Sequence, residues 1–348
     1  MPVLAAQIAP QKSTQYAALA SALAPHELRL SLLGDQIAEI RPLSLGGQEY
    51  LQFDLLKELT EAQARELGTL AMTSAFFVYY EKVGRVSGPL LRPIETHFEP
   101  ALPPELAMAR RYRGKTNELF TFFLCNLARF SSALARRPWS TLRVFDPLAG
   151  GGTTLFAALI LGASVAGVEH KARDVESTVS FLHQFVREQG IACQEKGERL
   201  KQVGRRWRFS FGQADVSAEA TQQCIMALGD TADSAALISG FKPHLIVADL
   251  PYGIQHRGEL HSLLTRALPV WASLLPPSGA MVLAWESSRF PRSDLIALVE
   301  SLSPLTVLND PPYNALAHRV DRVIKRRDVL VARLTRSLKG PGHAAHEQ

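Results

Sequence analysis

Apolar residues in the second half of the chain gather into short, nearly unbroken runs at positions 142–145, 165–168, 209–211, 245–248 and 281–285. Between them lie longer segments in which apolar positions recur at helical spacing, as Val175, Val179, Leu182 and Val186 do. Strands apolar on both faces and alternating with helices predict a parallel sheet covered on both sides. Two further runs, 305–308 and 329–334, have no long crossover between them and are expected to pair antiparallel. Ahead of the first run, Leu119, Phe122, Phe123, Leu127, Phe130 and Leu134 share one face of a helix that Thr116 or Asn117 would cap. The opening of the chain reads as α+β: 29–33 and 49–53 have strand character, 55–70 has helical spacing, and 76–80 collects aromatic and β-branched residues. Pro89, Pro93, Pro100, Pro103 and Pro104 punctuate the stretch between the two patterns. The expected organisation is an N-terminal substrate-binding domain over 1–88, a linker over 89–108, a second domain over 109–338 and a flexible tail over 339–348.

Composition narrows the class. With 348 residues, 47% hydrophobic and 20% charged, the chain suits two domains or one large α/β domain and excludes wholesale disorder, collagen-like repeats and a polytopic membrane protein. The longest apolar stretch, 70–80, is too short to span a bilayer, and the first residues lack the features of a signal peptide, so a cytoplasmic protein without membrane contact is expected. Cys125, Cys193 and Cys224 stand far apart, suggesting neither a disulfide framework nor a metal site. The net charge of +5 fits a polyanionic partner. Basic residues cluster at Arg110, Arg111, Arg113 and Lys115, at Arg205, Arg206 and Arg208, and at Arg319, Arg322, Lys325, Arg326 and Arg327, although a solvated surface explains any one cluster equally well.

The candidate chemistry sits at strand ends. Asp146-Pro147-Leu148-Ala149-Gly150-Gly151-Gly152-Thr153-Thr154 follows the first apolar run and opens a helix. Glycines at such a turn allow close backbone approach to a ligand, and the helix start presents free N–H groups, so a nucleotide-like ligand is favoured here. No Lys-Ser/Thr pair follows the last glycine and the spacing departs from G-x-G-x-x-G, so phosphate cradling is not indicated. Asp146 suits an amino group or cation. Glu169 ends the second run, about 20 residues downstream, where an acid accepts hydrogen bonds from ribose hydroxyls. Asp215, following the run at 209–211 taken as the third strand, would bond an adenine amino group or cap a helix. The fourth run leads into Asp249-Leu250-Pro251-Tyr252-Gly253. Pro251 restricts Leu250 to extended conformations, aiming the Leu250 carbonyl alongside the Asp249 carboxylate, and Tyr252 adds a flat face. Two acceptors and an aromatic platform suit a planar base bearing an exocyclic NH₂. A literal Asp310-Pro311-Pro312-Tyr313 ranks below this loop, because it lies beyond the fifth run and far from the glycine turn; a substrate-touching loop or a proline turn is expected there.

Together with Tyr112-x-Gly114-Lys115-Thr116 leading into a helix with Asn126, these motifs resemble class I S-adenosylmethionine-dependent methyltransferases. The resemblance is to the amino-methylating enzymes with a D/N-P-P-Y type loop, among them the tRNA guanosine-N2 methyltransferase group, although no THUMP domain is recognisable in the first hundred residues. It covers roughly positions 110–334. It implies an α/β fold with a Rossmann-like class I methyltransferase sheet, mostly parallel with an antiparallel last strand, beside a smaller α+β domain. It further implies S-adenosylmethionine as cofactor, with Asp146, Gly150, Gly152 and Thr153 around its methionine part, the Thr116 region closing that end, Glu169 on the ribose and Asp215 at the adenine. Asp249 and the Leu250 carbonyl would hold the target amine beside Pro251, with Tyr252 stacked on the base. The expected reaction is methylation of a nucleobase amine, guanosine N2 in tRNA or other structured RNA, with Arg319, Arg322, Lys325, Arg326 and Arg327 on phosphates. The alternatives are a DNA adenine-N6 or cytosine-N4 methyltransferase and a catalytically silent cofactor-binding, RNA-binding subunit. A monomer or a homodimer fits equally.

Overall fold

The computed structural model describes residues 2–10, 18–109, 115–212, 221–251, 257–320 and 326–334. The chain opens with β1 (Val3–Ile8), α1 (Leu19–Leu30), β2 (Ile37–Leu45), β3 (Gln48–Leu55), α2 (Glu61–Leu67), β4 (Thr73–Val83) and β5 (Val86–Pro93). The strands form an antiparallel sheet in the order β2-β3-β1-β4-β5, a βαββαβ unit to which β5 adds a hairpin at the edge. One face is apolar by alternation: Leu4 and Ala6 on β1 and Leu51, Phe53 and Leu55 on β3 are buried. Residues 29–33, expected as strand, include the end of a helix instead. Leu19, Leu23, Ala24 and Leu28 supply its buried stripe, and Arg29 in its last turn donates to the carbonyls of Ile37 and Ala38. The helix expected over 55–70 is shorter, because Leu55 still pairs with Ile37 in the sheet and the Thr60–Gln63 capping box opens α2. Pro89 and Pro93 lie within β5, so a boundary at 88 would cut a strand. An edge strand tolerates proline because a ladder donor is dispensable there.

The second half contains α3 (Glu105–Met108), α4 (Glu118–Ser131), β6 (Arg143–Asp146), α5 (Thr153–Leu161), β7 (Ser164–Glu169), α6 (Ala172–Glu188), β8 (Cys193–Leu200), β9 (Gly204–Phe211) and β10 (Gln222–Leu228). It continues with α7 (Ser234–Leu237), β11 (Leu245–Asp249), α8 (Arg257–Leu274), β12 (Ala280–Glu286), α9 (Arg292–Leu302), β13 (Leu305–Leu308) and β14 (Arg327–Leu334). One sheet holds all nine strands, in the order β13-β14-β12-β11-β6-β7-β10-β9-β8. The run β10-β7-β6-β11-β12 is parallel throughout, while β14 inserts antiparallel beside β12 and pairs antiparallel with β13, the expected Rossmann-like arrangement with a reversed last strand. The chain winds outward from β6 through β7 to β10 and then returns to β11 on the other side of β6. That reversal opens a crevice at the carboxyl ends of β6, β7 and β11.

The third parallel strand is β10, and the run at 209–211 belongs to β9, which pairs antiparallel with β10 in a hairpin shared with β8. Phe209 alternates with part-exposed Arg208 and Ser210, as befits an antiparallel strand, whereas β10 begins with two glutamines. Gln222 is accommodated because its Nε2 donates to the Leu159 and Ala163 carbonyls at 2.7 and 2.9 Å.

Two apolar cores cover the sheet. On one face Val144, Val165, Met226 and Val247 pack with α4, α5 and α6; on the other Phe145, Ala166, Ile225 and Ile246 pack with α7, α8 and α9. The first core continues without a break into the N-terminal sheet through Leu4, Leu23, Phe53 and Phe76. Charged groups in this junction are paired: the buried Glu27 carboxylate accepts from Ala71 N, Met72 N and Asn126 Nδ2, and Arg129 makes a two-pronged bond to Glu66 at 2.8 and 3.1 Å.

Candidate active site

Asp146 ends β6 at the floor of the crevice. Gly167 of β7 stands opposite it, and continuing the β6–β11 register places Val247 on its other side, so Glu169 and Asp249 each reach two residues further along the flanking strands. Three carboxylates thus line one notch. Asp146 is buried, accepts from Leu148 N at 3.0 Å, and is pushed up to about 7, first by burial and then by Asp249 and Glu169, against hydrogen bonds from Thr154 and Leu148.

The glycine turn wraps over this floor. Gly150 has φ +50°, and a side chain placed there would meet nothing within 4 Å, so the turn opens onto free space. Gly152, at φ +85°, starts α5, whose first residues Thr153 and Thr154 are buried. Across the notch, Glu169 is fixed by two backbone donors, Gly150 N at 3.1 Å from its Oε2 and Lys171 N at 2.8 Å from its Oε1, with the His170 ring Nδ1 3.0 Å from Oε1. The structure therefore brings Asp146, Gly150, Gly152, Thr153 and Glu169 to one edge.

Asp215 lies outside the described residues, and the strand it was expected to follow is antiparallel. Phe211 pairs with Gln222, so β9 ends at the amino end of β10, away from the crevice. The acid that follows the third parallel strand is Asp230. It accepts from Ala232 N at 2.9 Å and pairs with Arg266 at 2.8 Å, and these bonds hold its carboxyl below the usual range.

Asp249 ends β11, and its carboxylate is gripped from within the protein. Its Oδ2 accepts from Thr116 Oγ1 at 2.5 Å and from Arg327 Nη2 at 2.6 Å. Burial raises its pKa, opposed by Arg327 and Thr116. Thr116, expected near the cofactor, thus faces Asp249, while Asn117 caps α4 by accepting from Phe120 N at 3.0 Å. Arg327, expected on a phosphate, is 1% exposed, lies 4.5 Å from the Phe120 ring centroid and is the first residue of β14. Its role is corrected accordingly: a cation so enclosed cannot reach a polyanion without leaving Asp249 unpaired. His318 exchanges backbone hydrogen bonds with Arg327, and its ring lies 5.1 Å from Phe120. Burial pushes His318 down to about 4, and among the described residues its Nε2 has no partner. Arg327, Phe120 and His318 were not legible as a unit; the one signal was a basic residue two positions ahead of the apolar run 329–332. Beyond Asp249, Leu250 is buried and its N–H donates to Ala284 O at 2.8 Å, which fixes the backbone ahead of the exposed Pro251. Tyr252 lies outside the described residues.

The Asp310–Tyr313 loop follows β13 at the same edge, but β12 and β14 separate it from β11. It is pinned by Arg292, which donates to Tyr313 O at 3.0 Å and Asn309 Oδ1 at 2.9 Å and pairs with Asp328 at 3.1 Å. Arg319 and Arg326 are exposed, whereas Arg322 and Lys325 lie outside the described residues. Among the described residues no cluster of three His, Cys, Asp or Glu is arranged to hold a metal ion, and no helix is long and apolar enough to cross a membrane.

No family model matches the chain, and no curated protein matches it. Among solved structures it is similar to TrmN from Thermus thermophilus, at 14% identity over 96% of this chain and 100% of that one, with a TM-score of 0.46. It is similar also to the rRNA methyltransferase aviRa from Streptomyces viridochromogenes, at 15% identity over 66% and 90% with a TM-score of 0.38. A precorrin-6y C5,15-methyltransferase from Geobacter metallireducens aligns at 11% identity over 65% and 94% with a TM-score of 0.37.

Proposed function

We propose that this protein is an S-adenosylmethionine-dependent methyltransferase acting on an exocyclic amine of a nucleobase in structured RNA, with guanosine N2 in tRNA as the first substrate to test. The observation that carries this reading is the half-buried carboxylate of Asp249 at the end of β11, fixed by Thr116 and Arg327 and followed by Leu250 and Pro251, on the strand beside the Asp146 glycine turn.

The residues present fit the cofactor. Space opens over Gly150, where any side chain would intrude, and Asp146 and Glu169 lie on either side of it as partners for an amino group and for ribose hydroxyls. Gly152 and Thr153 would complete the methionine end. When bound, S-adenosylmethionine supplies an electrophilic sulfonium methyl. The protein's own task is to hold an amine lone pair in line with it, which is catalysis by positioning. Asp249 and the Leu250 carbonyl are two acceptors for the two N–H bonds of an exocyclic amine, and engaging both favours a pyramidal nitrogen with its lone pair free of the ring. Positive charge then grows on that nitrogen beside the Asp249 carboxyl, where Arg327 and Thr116 oppose the upward push of burial on its pKa. Tyr252 would stack on the base, and Arg319 and Arg326 would touch phosphates.

The test incubates the purified full chain with methyl-labelled S-adenosylmethionine and, side by side, bulk tRNA, ribosomal RNA and DNA, followed by mass spectrometry of the nucleosides. N2-methylguanosine is expected. Labelled N6-methyladenine or N4-methylcytosine in DNA, with RNA untouched, overturns the substrate; tight nicotinamide dinucleotide binding without S-adenosylmethionine binding overturns the reading as a whole.

A further inference from the structure

The β8–β9 hairpin extends the parallel sheet beyond β10 and supplies none of the crevice. Residues 193–211 nevertheless hold six Lys and Arg against two Glu, a net +4 in a chain whose total is +5. Arg206 is consumed structurally: it bonds Glu198 at 2.8 Å and the Ser239 carbonyl at 3.0 Å, fastening the hairpin to the segment after α7. Lys196, Arg199, Lys201 and Arg205 are exposed and Arg208 half so, with Glu195 as the one remaining acid.

The pairing of these cations is unfavourable for the hairpin alone. Arg199 stands directly opposite Arg205, and Lys196 directly opposite Arg208. Like charges in cross-strand pairs destabilise a sheet. Charge on an edge strand guards against strand addition, but that asks for cations on β8 only, not for their counterparts on β9. The two pairs lie on opposite faces, since three residues separate them along each strand, and a polyanion on the face that carries Arg199, Arg205 and Trp207 would turn the Arg199–Arg205 repulsion into binding.

The tip of the hairpin also forms a concavity of about 1010 Å³ lined by Arg199, Gly204, Arg205, Trp207 and Leu228 among others. Gly197 faces Trp207 across the strands, and a side chain there would touch the indole at 3.7 Å, so glycine leaves the β8 side of this half-buried ring accessible. The Arg205 guanidinium lies 5.1 Å from the Trp207 ring centroid. Cations flanking a half-exposed aromatic ring match the backbone and the bases of an unpaired nucleic acid strand. Arg205, Leu228 and Glu169 stand in one cross-strand row, which sets the concavity roughly 10 Å from the crevice at two strand spacings.

We infer that the β8–β9 hairpin is an RNA-binding surface, with Arg199 and Arg205 on phosphates and Trp207 stacked on a base, holding single-stranded RNA next to the target nucleotide. The inference rests on the proposed RNA methyltransferase reading. Its test uses the full chain, a short oligouridylate and bulk tRNA as probes, and the variants Arg199→Gln/Arg205→Gln and Trp207→Phe, with S-adenosylmethionine affinity confirming that each variant is folded. The double variant should bind oligouridylate about tenfold more weakly, and its slope of log K against log salt should fall by about 1.4, at 0.7 per phosphate contact. Trp207→Phe should remove the quenching of tryptophan fluorescence on oligouridylate binding. If wild type binds and methylates RNA and the double variant binds with unchanged affinity and slope, the hairpin assignment falls and the enzymatic reading stands. If wild type binds S-adenosylmethionine but neither RNA probe, both fall.

Discussion

At the scale of single residues, Asp249 and Arg327 form the pair on which the site depends, and breaking it from either side has different consequences. Arg327→Met leaves the half-buried Asp249 carboxylate without its cation and should cost about 2–4 kcal/mol, read as a fall in denaturation midpoint. Combining it with Asp249→Asn should restore part of that loss, since no charge then remains unpaired. Asp249→Asn alone should greatly slow methyl transfer while leaving cofactor affinity within a few fold; a matching loss of affinity would move Asp249 out of the target-base role. Asp310→Ala, on a loop held by Arg292 away from β11, should leave turnover near wild type. Asp146 makes a prediction in pH. Its carboxyl is raised from 3.8 to about 7, so between those values the folded chain holds a proton that the unfolded chain has lost, and this residue's contribution to stability declines as pH rises through that window. A cationic amino group needs the ionised form. Cofactor binding should therefore release a proton below pH 7 and strengthen toward pH 8, as titration calorimetry in buffers of different ionisation heat would show.

At the scale of elements, α4 joins the two halves, and its buried Asn126 is one of three donors to the Glu27 carboxylate. Asn126→Ala should destabilise the chain by about 1–3 kcal/mol, the cost of an under-satisfied buried acceptor, measurable by thermal melting. The strands of the large sheet were legible where burial on both faces leaves an unbroken apolar run, as in β6, β7, β11 and β12. Strand-end residues were legible with them, because the carboxyl end of a parallel strand fixes where Asp146, Glu169 and Asp249 stand. The third strand was misplaced because β10 opens with Gln222 and Gln223, whose polar groups find partners only in the folded chain, while β9 imitates an apolar run with Phe209 and Phe211. The helix α1 was hidden by Pro25 in its interior. Thr116 and Arg327 lie 133 and 78 residues from Asp249, and no local spacing announces contacts that tertiary packing alone creates.

For the molecule as a whole, charge and packing divide the labour unequally. Residues 1–93 hold eight Lys and Arg against nine Asp and Glu, so the excess positive charge belongs to the second half. Phosphate contacts should come from that half, and replacing Arg319 and Arg326 by Gln should lower the salt slope of RNA binding by up to about 2. The continuous core forbids a clean separation of the halves. Removing residues 1–93 would bare the apolar face of α4 and strand Arg129, and the truncated chain should lose its cooperative melting transition instead of persisting as a cofactor-binding fragment.

The same junction bears on the order of synthesis. The N-terminal sheet is complete at Pro93, but the helix that packs on α1 ends at Ser131, 38 residues later. At ribosomal rates that interval lasts roughly 2–8 s. During it Leu23, Leu28 and Leu67 wait without α4, in the company of Glu27 and Glu66. Glu27 is already held by the N–H groups of Ala71 and Met72, and the later arrival of Asn126 and Arg129 supplies the remaining partners of both carboxylates, so closing the junction completes a polar as well as an apolar contact.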